Sequence, residues 1–213
     1  MFIPMKTDTQ QLSELSTEER ILAVAAKVFT EKGYEATKTR DIAEAAGINI
    51  ASLHYYFRSK EKLFDIVIGK TMMKFSKLMG EVMNTDEPLY VKIRKFVPFY
   101  MDFIDENPFV PMFILSESER NAHRINDLMN DEQMLPVVKK QMEELAAKGI
   151  IRPMSLGNFF SNLIGMVIFP YLGPSLTKLK LDMSEEDFEQ MLQERRSMIP
   201  EILINYLYLE KPE

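Results

Sequence analysis

The 213-residue chain contains no cysteine, which removes disulfides, thiolate metal ligands and cysteine nucleophiles together. A cytoplasmic setting suits such a composition. Histidine is nearly missing as well. His54 and His123 are the only two, too few to build a metal site without cysteine, so no metal and no cofactor is expected. No HExxH pair and no glycine-rich phosphate loop occurs, and the chain is not expected to be an enzyme. A paired-carboxylate site stays open as the alternative. Long apolar runs are also lacking. Leu163–Leu172 is far short of a span of roughly 20 residues and contains Pro170, and Met1–Gln10 has no apolar run of the signal-peptide kind. The expectation is a soluble protein with no membrane partner.

What is present is helical and globular. Apolar residues make up 46% and charged residues 27%, and sixteen methionines stand against eight glycines, usage that favours a packed helical core over sheets or disorder. The net charge of −6 argues at first against nucleic acid. Its distribution reverses the argument. The first 62 residues balance nine basic against nine acidic side chains, so the whole excess falls beyond them. Lys38, Arg40, Arg58, Lys60 and Lys62 flank one short stretch and supply the makings of a phosphate-facing cluster.

That stretch has the pattern of a helix-turn-helix. Ser16 followed by Glu19 forms a capping box, and Ile21, Leu22, Ala25, Val28 and Phe29 recur on one face until Gly33 closes the helix. Arg40–Ala46 reads as a short helix stopped at Gly47, and Ile50–Phe57 as a second one closed by Arg58-Ser59. Ala43, Ala46 and Ala51 are small where the two helices cross, and Gly47 permits the turn. With Leu53 and Phe57 facing the core, the start of the second helix turns Asn49, Ile50, Ala51 and Ser52 outward. Asn49 and Ser52 suit base edges, while Tyr55, Tyr56 and Lys60 suit phosphates. Thr37 and Thr39 read as helix caps that also reach phosphate beside Arg40. His54 fits a donor to phosphate or base, histidine being the side chain that titrates nearest neutral pH.

The residues Gly33-Tyr34-Glu35-Ala36-Thr37-Lys38-Thr39-Arg40-Asp41-Ile42-Ala43-Glu44-Ala45-Ala46-Gly47, continued by Leu53-His54-Tyr55-Tyr56-Phe57-Arg58-Ser59-Lys60-Glu61-Lys62-Leu63-Phe64, resemble the signature of tetracycline-repressor (TetR) family regulators. Tyrosine usually follows the leucine directly in that family, often with histidine two residues on. Here His54 and Tyr56 stand in the reverse order. The resemblance implies an all-α protein of about nine helices, with a DNA-binding domain over residues 12–62 and a helical effector-binding and dimerisation domain over 63–213. Its implied partners are a palindromic double-stranded DNA operator, a small and largely apolar effector that releases it, and a second copy of the chain. A protein partner, or no effector at all, is the alternative within the same class.

Beyond the signature, a long helix from Ser59 to about Met83 carries Phe64, Val67, Ile68, Met72, Phe75 and Met79 as one apolar stripe. Further helices are expected near 87–106, 108–121, 125–148, 155–172 and 184–209, with Pro98, Pro136, Pro170 and Pro200 kinking them. Phe96, Phe99, Tyr100, Phe103, Phe109, Met112, Phe113, Met166 and Phe169 are the apolar set in which the resemblance implies an effector pocket, although each also suits a helical core. Glu117, Glu119, Arg120 and His123 read as a solvated helix face. The last two helices are apolar on more than one side. By the same resemblance, Phe160, Ile164, Val167, Ile168, Ile199, Leu203 and Tyr206 are the expected dimer interface.

Overall fold

Ser16 and Glu19 do what their spacing requires. The Glu19 amide donates to the Ser16 hydroxyl at 3.3 Å, while the Glu19 carboxylate accepts from the Ser16 amide at 3.1 Å. The computed structural model describes residues 15–129 and 134–212, and among these it contains ten helices and no strand beyond one isolated bridge. The polar start, Met1–Gln11, lies outside the described residues, as does the side chain of Arg120.

Helix α1 (Thr17–Ala36) buries Ile21, Leu22, Val24, Ala25, Val28 and Phe29. Gly33 does not end it as expected. The residue adopts φ 75°, ψ 166°, and the helix breaks there and resumes for one more turn. Helices α2 (Thr39–Ala45) and α3 (Ile50–Phe57) follow. Between them Gly47 takes φ 66°, so that its own amide reaches the Glu44 carbonyl at 3.1 Å and the Ile48 amide reaches Ala43 at 3.0 Å. This double closure satisfies the last carbonyls of α2 and needs a left-handed residue.

Helix α4 (Lys60–Met83) is the spine. It packs on α1 and α3 at one end, and along its length on α5 (Leu89–Glu106), α6 (Val110–Met129) and α7 (Met134–Ala147). Phe64 stands at the junction, with its ring 4.9 Å from Phe29, 4.6 Å from Tyr34, 6.0 Å from Phe109 and 5.2 Å from Phe113. One aromatic column therefore runs from the first helix into the sixth. Rings at such separations add to burial through edge-on contact.

Helices α8 (Leu156–Leu172), α9 (Pro174–Leu181) and α10 (Glu185–Leu207) close the chain. The short α9 is a tenth helix not foreseen in the sequence, because Gly173-Pro174 reads as a break; proline instead sits at the first helical position, where its missing amide costs nothing. Pro98, Pro170 and Pro200 lie within continuous helices, whereas Pro136 falls in the first turn of α7. The isolated bridge Ile151–Tyr208 pins the segment before α8 to the chain end, through Arg152 N–H to Leu207 at 2.7 Å and Leu209 N–H to Ile150 at 3.0 Å. No single helix among the described residues is long and apolar enough to cross a membrane; α8 and α9 reach that composition only as a pair bent by 79°.

Candidate nucleic-acid interface

The core of the three-helix unit decides what its surface can do. Ile42, Ala43, Ala46, Leu53 and Phe57 are buried, so α3 is held by its inner face against α2 and α4. Its outer face is left for a partner. Asn49 is the N-cap: its side-chain oxygen accepts from the Ser52 amide at 2.7 Å, which fixes the first turn and leaves the Asn49 amide group as its free donor. Asn49, Ile50 and Ala51 are exposed and Ser52 is half-exposed. Tyr55 is 83% exposed and Tyr56 42%, their rings edge-on at 5.5 Å. An aromatic ring as exposed as Tyr55 gains little from the fold and makes sense as a contact residue.

The end of α3 is built around an unusual backbone. Arg58 closes the helix at φ 59°, ψ −43°, and the His54 ring nitrogen Nδ1 lies 2.9 Å from the Arg58 carbonyl. A carbonyl only accepts, so Nδ1 carries the proton. Neutral His54 then presents Nε2 to its surroundings as an acceptor, and only the imidazolium offers a donor there.

Three expected contact residues are placed differently. Thr37 is 1% exposed and its hydroxyl donates to the Gly33 carbonyl at 2.6 Å, which turns it into the core. Neither Thr37 nor Thr39 caps α2. The N-cap position belongs to Lys38, whose amide donates to the Asp41 carboxylate at 2.9 Å, and Thr39 is the first helical residue, half-exposed beside exposed Arg40. The Lys38 amide and the nearby Lys32 ammonium, 3.3 Å away, hold the Asp41 carboxyl below the usual carboxylate range. Lys60, expected to face phosphate, instead donates from Nζ to the Tyr34 carbonyl at 2.9 Å and the Thr37 carbonyl at 3.0 Å, with the Tyr34 ring 4.2 Å beneath it. It ties the start of α4 to the corner between α1 and α2. The end of α1 at Ala36 leaves the carbonyls that receive it without helical partners; the result is a long-range pairing no local pattern announces.

Comparison with known proteins agrees with this geometry. Residues 21–67 match the family model described as bacterial regulatory proteins of the tetR family. The chain is 22% identical over 165 residues to the helix-turn-helix transcriptional regulator YttP of Bacillus subtilis, covering 76% of this chain and 80% of that one. Its likeness to the repressor KstR2 of Rhodococcus jostii is higher, 45%, but is confined to 65 residues, 30% of this chain and 31% of the relative. Among solved structures, FadR of Bacillus subtilis superposes with a TM-score of 0.61 over 89% of this chain and 99% of its own, at 17% identity. Residues 21–67 are thus a helix-turn-helix of the TetR family of bacterial regulators. The whole-length likeness extends the family fold through α10, while the close identity is concentrated in the helix-turn-helix.

The remaining expected sites are dispersed. Phe96, Tyr100 and Phe103 of α5 are buried; Phe96 packs on Tyr100 at 5.6 Å, and Tyr100 and Phe103 pack on Phe75 at 5.3 and 4.4 Å between ring centres. Burial pushes the Tyr100 hydroxyl pKa upward. Phe113 joins the Phe64 column; Phe99 and Met166 are half-buried, and Met112 and Phe169 are exposed. The buried members of the set fill a core instead of lining an open pocket. Concavities of about 430 and 270 Å³ occur elsewhere, where α7 meets the segment before α8, and Met142, Glu143, Met154 and Ser155 line both. Of the expected dimer residues, Val167, Ile199 and Leu203 belong to the chain's own core, because α8 and α10 pack on each other and on α5. Phe160, Ile164 and Ile168 are half-buried, and Tyr206 is 60% exposed.

Proposed function

We propose that the protein is a dimeric repressor that inserts α3 into the major groove of a palindromic operator and leaves it when a small, largely apolar effector binds among α5, α6 and α8. The observation that carries the first half is the outward row Asn49, Ile50, Ala51, Ser52, Tyr55 on a helix whose other face is wholly buried. A helix so anchored presents base-reading side chains rigidly. Exposed Lys38, Arg40 and Arg58 supply phosphate contacts around it. In this reading residues 12–62 form the DNA-binding domain and 63–213 the effector and dimerisation domain. YttP and KstR2 are both transcriptional regulators, which supports a role other than catalysis.

Dimerisation rests on an outward stripe of α10 and the residues after it. Met198, Ile202, Tyr206 and Leu209 recur at three-and-four spacing and are all exposed, beside exposed Gly157, Ser161 and Gly165 on α8 that allow close approach. Of the α10 residues expected at this interface, Tyr206 is part of the stripe, while Ile199 and Leu203 lie one position along from Met198 and Ile202 and are buried. An Ile202→Glu, Tyr206→Glu double variant is expected to be monomeric by light scattering where the wild type is a dimer. Two heads about 34 Å apart then read successive grooves.

For the effector, FadR in complex with stearoyl-CoA shows that this fold accommodates a long apolar chain in that relative. Here the aromatic row of α5 must open to admit one. The coupling is then a population shift: an effector that favours the opened body favours one spacing of the heads. Selection of bound duplexes from a random pool tests the core of the proposal. A palindrome with half-sites one helical turn apart is expected, with affinity falling steeply as salt rises; recovery of no enriched sequence refutes it.

A further inference from the structure

Arg58 and Ser59 make the whole connection between α3 and α4, so the dihedral angles of Arg58 set the direction in which α3 leaves the spine. Those angles are abnormal. At φ 59°, ψ −43° Arg58 lies outside the left-handed basin, and the Ser59 amide donates back to the Phe57 carbonyl at 2.6 Å, which together make the strained kind of γ-turn. The earlier turn of the same unit uses Gly47 for its positive φ. Among the described residues the other non-glycine at positive φ is Asp182, which rests within the left-handed basin at φ 53°, ψ 44°. Of the two, Arg58 carries its side chain into the sparsely populated region.

Such a conformation persists where its surroundings over-determine it, and one residue supplies the constraint. The Arg58 amide donates to the His54 carbonyl at 2.9 Å, and the Arg58 carbonyl accepts from His54 Nδ1 at 2.9 Å. His54 therefore grips both peptide groups that flank the strained Cα. The first bond is helix closure, available whatever side chain stands at position 54; the second needs a donor on a short arm. Ser59 then opens α4, its hydroxyl accepting from the Lys62 amide at 3.1 Å, so a change at Arg58 passes directly into the angle between the helices. The Arg58 side chain is exposed, and its charge beside the recognition face is a reason to keep arginine where glycine would relax the turn.

We infer that His54 is a positioning residue for DNA binding: its Nδ1–H holds the Arg58 turn, and through that turn the pitch of α3 against α4 and the reach of the Arg58 guanidinium. It acts through Arg58 and not by a contact of its own with DNA. The inference rests on the reading of α3 as the groove-entering helix.

The full chain and its variants are titrated with the palindromic duplex recovered from the random pool, far enough below melting that lost stability alone leaves affinity unmoved. His54→Leu, which has no donor, is expected to bind about fivefold more weakly for each head, because one hydrogen bond's worth of population leaves the competent turn. His54→Gln keeps an amide donor and recovers most of that loss. Arg58→Gly relaxes the turn and gives up a phosphate contact, so its salt slope is shallower; in that background His54→Leu is expected to change affinity by less than about twofold. Thermal unfolding checks the fold of every variant, with His54→Leu about 2–4 °C below wild type and near-neutral when combined with Arg58→Gly. A loss equally large in the Arg58→Gly background gives His54 its own contact with DNA and overturns the positioning role. Wild-type affinity in His54→Leu overturns it as well, as does a glutamine variant no better than the leucine one. Recovery of no enriched duplex overturns the DNA reading and the positioning role with it, whereas additive melting losses in the double variant overturn the hold on the turn by themselves.

Discussion

Replacing Lys60 by methionine separates two roles that one ammonium group can play at the start of α4. In the structure Nζ donates to the Tyr34 and Thr37 carbonyls and sits over the Tyr34 ring. Shielded hydrogen bonds from a charged group contribute about 1.5–3 kcal/mol each. Lys60 is half-exposed, and discounting for solvent leaves about 2 kcal/mol for both bonds and the cation–π contact together. In a chain of this length that corresponds to melting roughly 4–8 °C lower. Two assays read the result: thermal unfolding, and operator affinity measured across a salt series. A tie predicts lower stability and an unchanged slope of log affinity against log salt. A phosphate contact predicts the opposite, a slope shallower by about 0.9 for each head and little change in melting. Lys60→Arg, which keeps the charge but not the geometry, should follow methionine in stability and wild type in slope. If Lys60→Met melts within a degree of wild type while its salt slope falls, the assignment of Lys60 to the corner is refuted.

Gly47→Ala is expected to cost about 1–2 kcal/mol, through backbone conformation alone; an added Cβ meets nothing within 4 Å at φ 66°, so a urea midpoint equal to wild type would contradict the left-handed turn. The capping carboxylates titrate below their ordinary values: Glu19 through the Ser16 hydroxyl, Asp187 through the Ser184 hydroxyl. A depressed folded pKa means stability that is complete above the unfolded value and lost as pH falls through the folded one. Acid should therefore loosen α1 and α10 below about pH 4, and circular dichroism should show Ser16→Ala and Ser184→Ala less sensitive to that change.

Local grammar made the reading head legible. The Ser16–Glu19 box, the turn at Gly47 and the buried pair Leu53 and Phe57 all follow from residues within a few positions of one another, and the structure contains each of them. The misplaced features depend on distant partners. Periodicity says that Ile199 and Ile202 lie on α10, but only the packing of α8 and α5 decides that Ile199 turns inward and Ile202 outward. Lys60 looks like a free cation until Tyr34 and Thr37 are brought beneath it, twenty-six and twenty-three residues away. For the aromatic set of α5 and α6, neither composition nor resemblance can tell a filled core from a lined pocket.

The column through Phe64 bears on how the molecule comes apart. Phe29 and Tyr34 of the reading head share that ring with Phe109 and Phe113 of the body, and no flexible tether separates the two, since α4 begins within three residues of the end of α3. A fragment cut at residue 62 would strip Leu63, Phe64, Val67 and Ile68 from beneath α1. Head and body are thus expected to melt as one foldon, with hydrogen exchange in α3 reporting on the integrity of a core more than forty residues downstream.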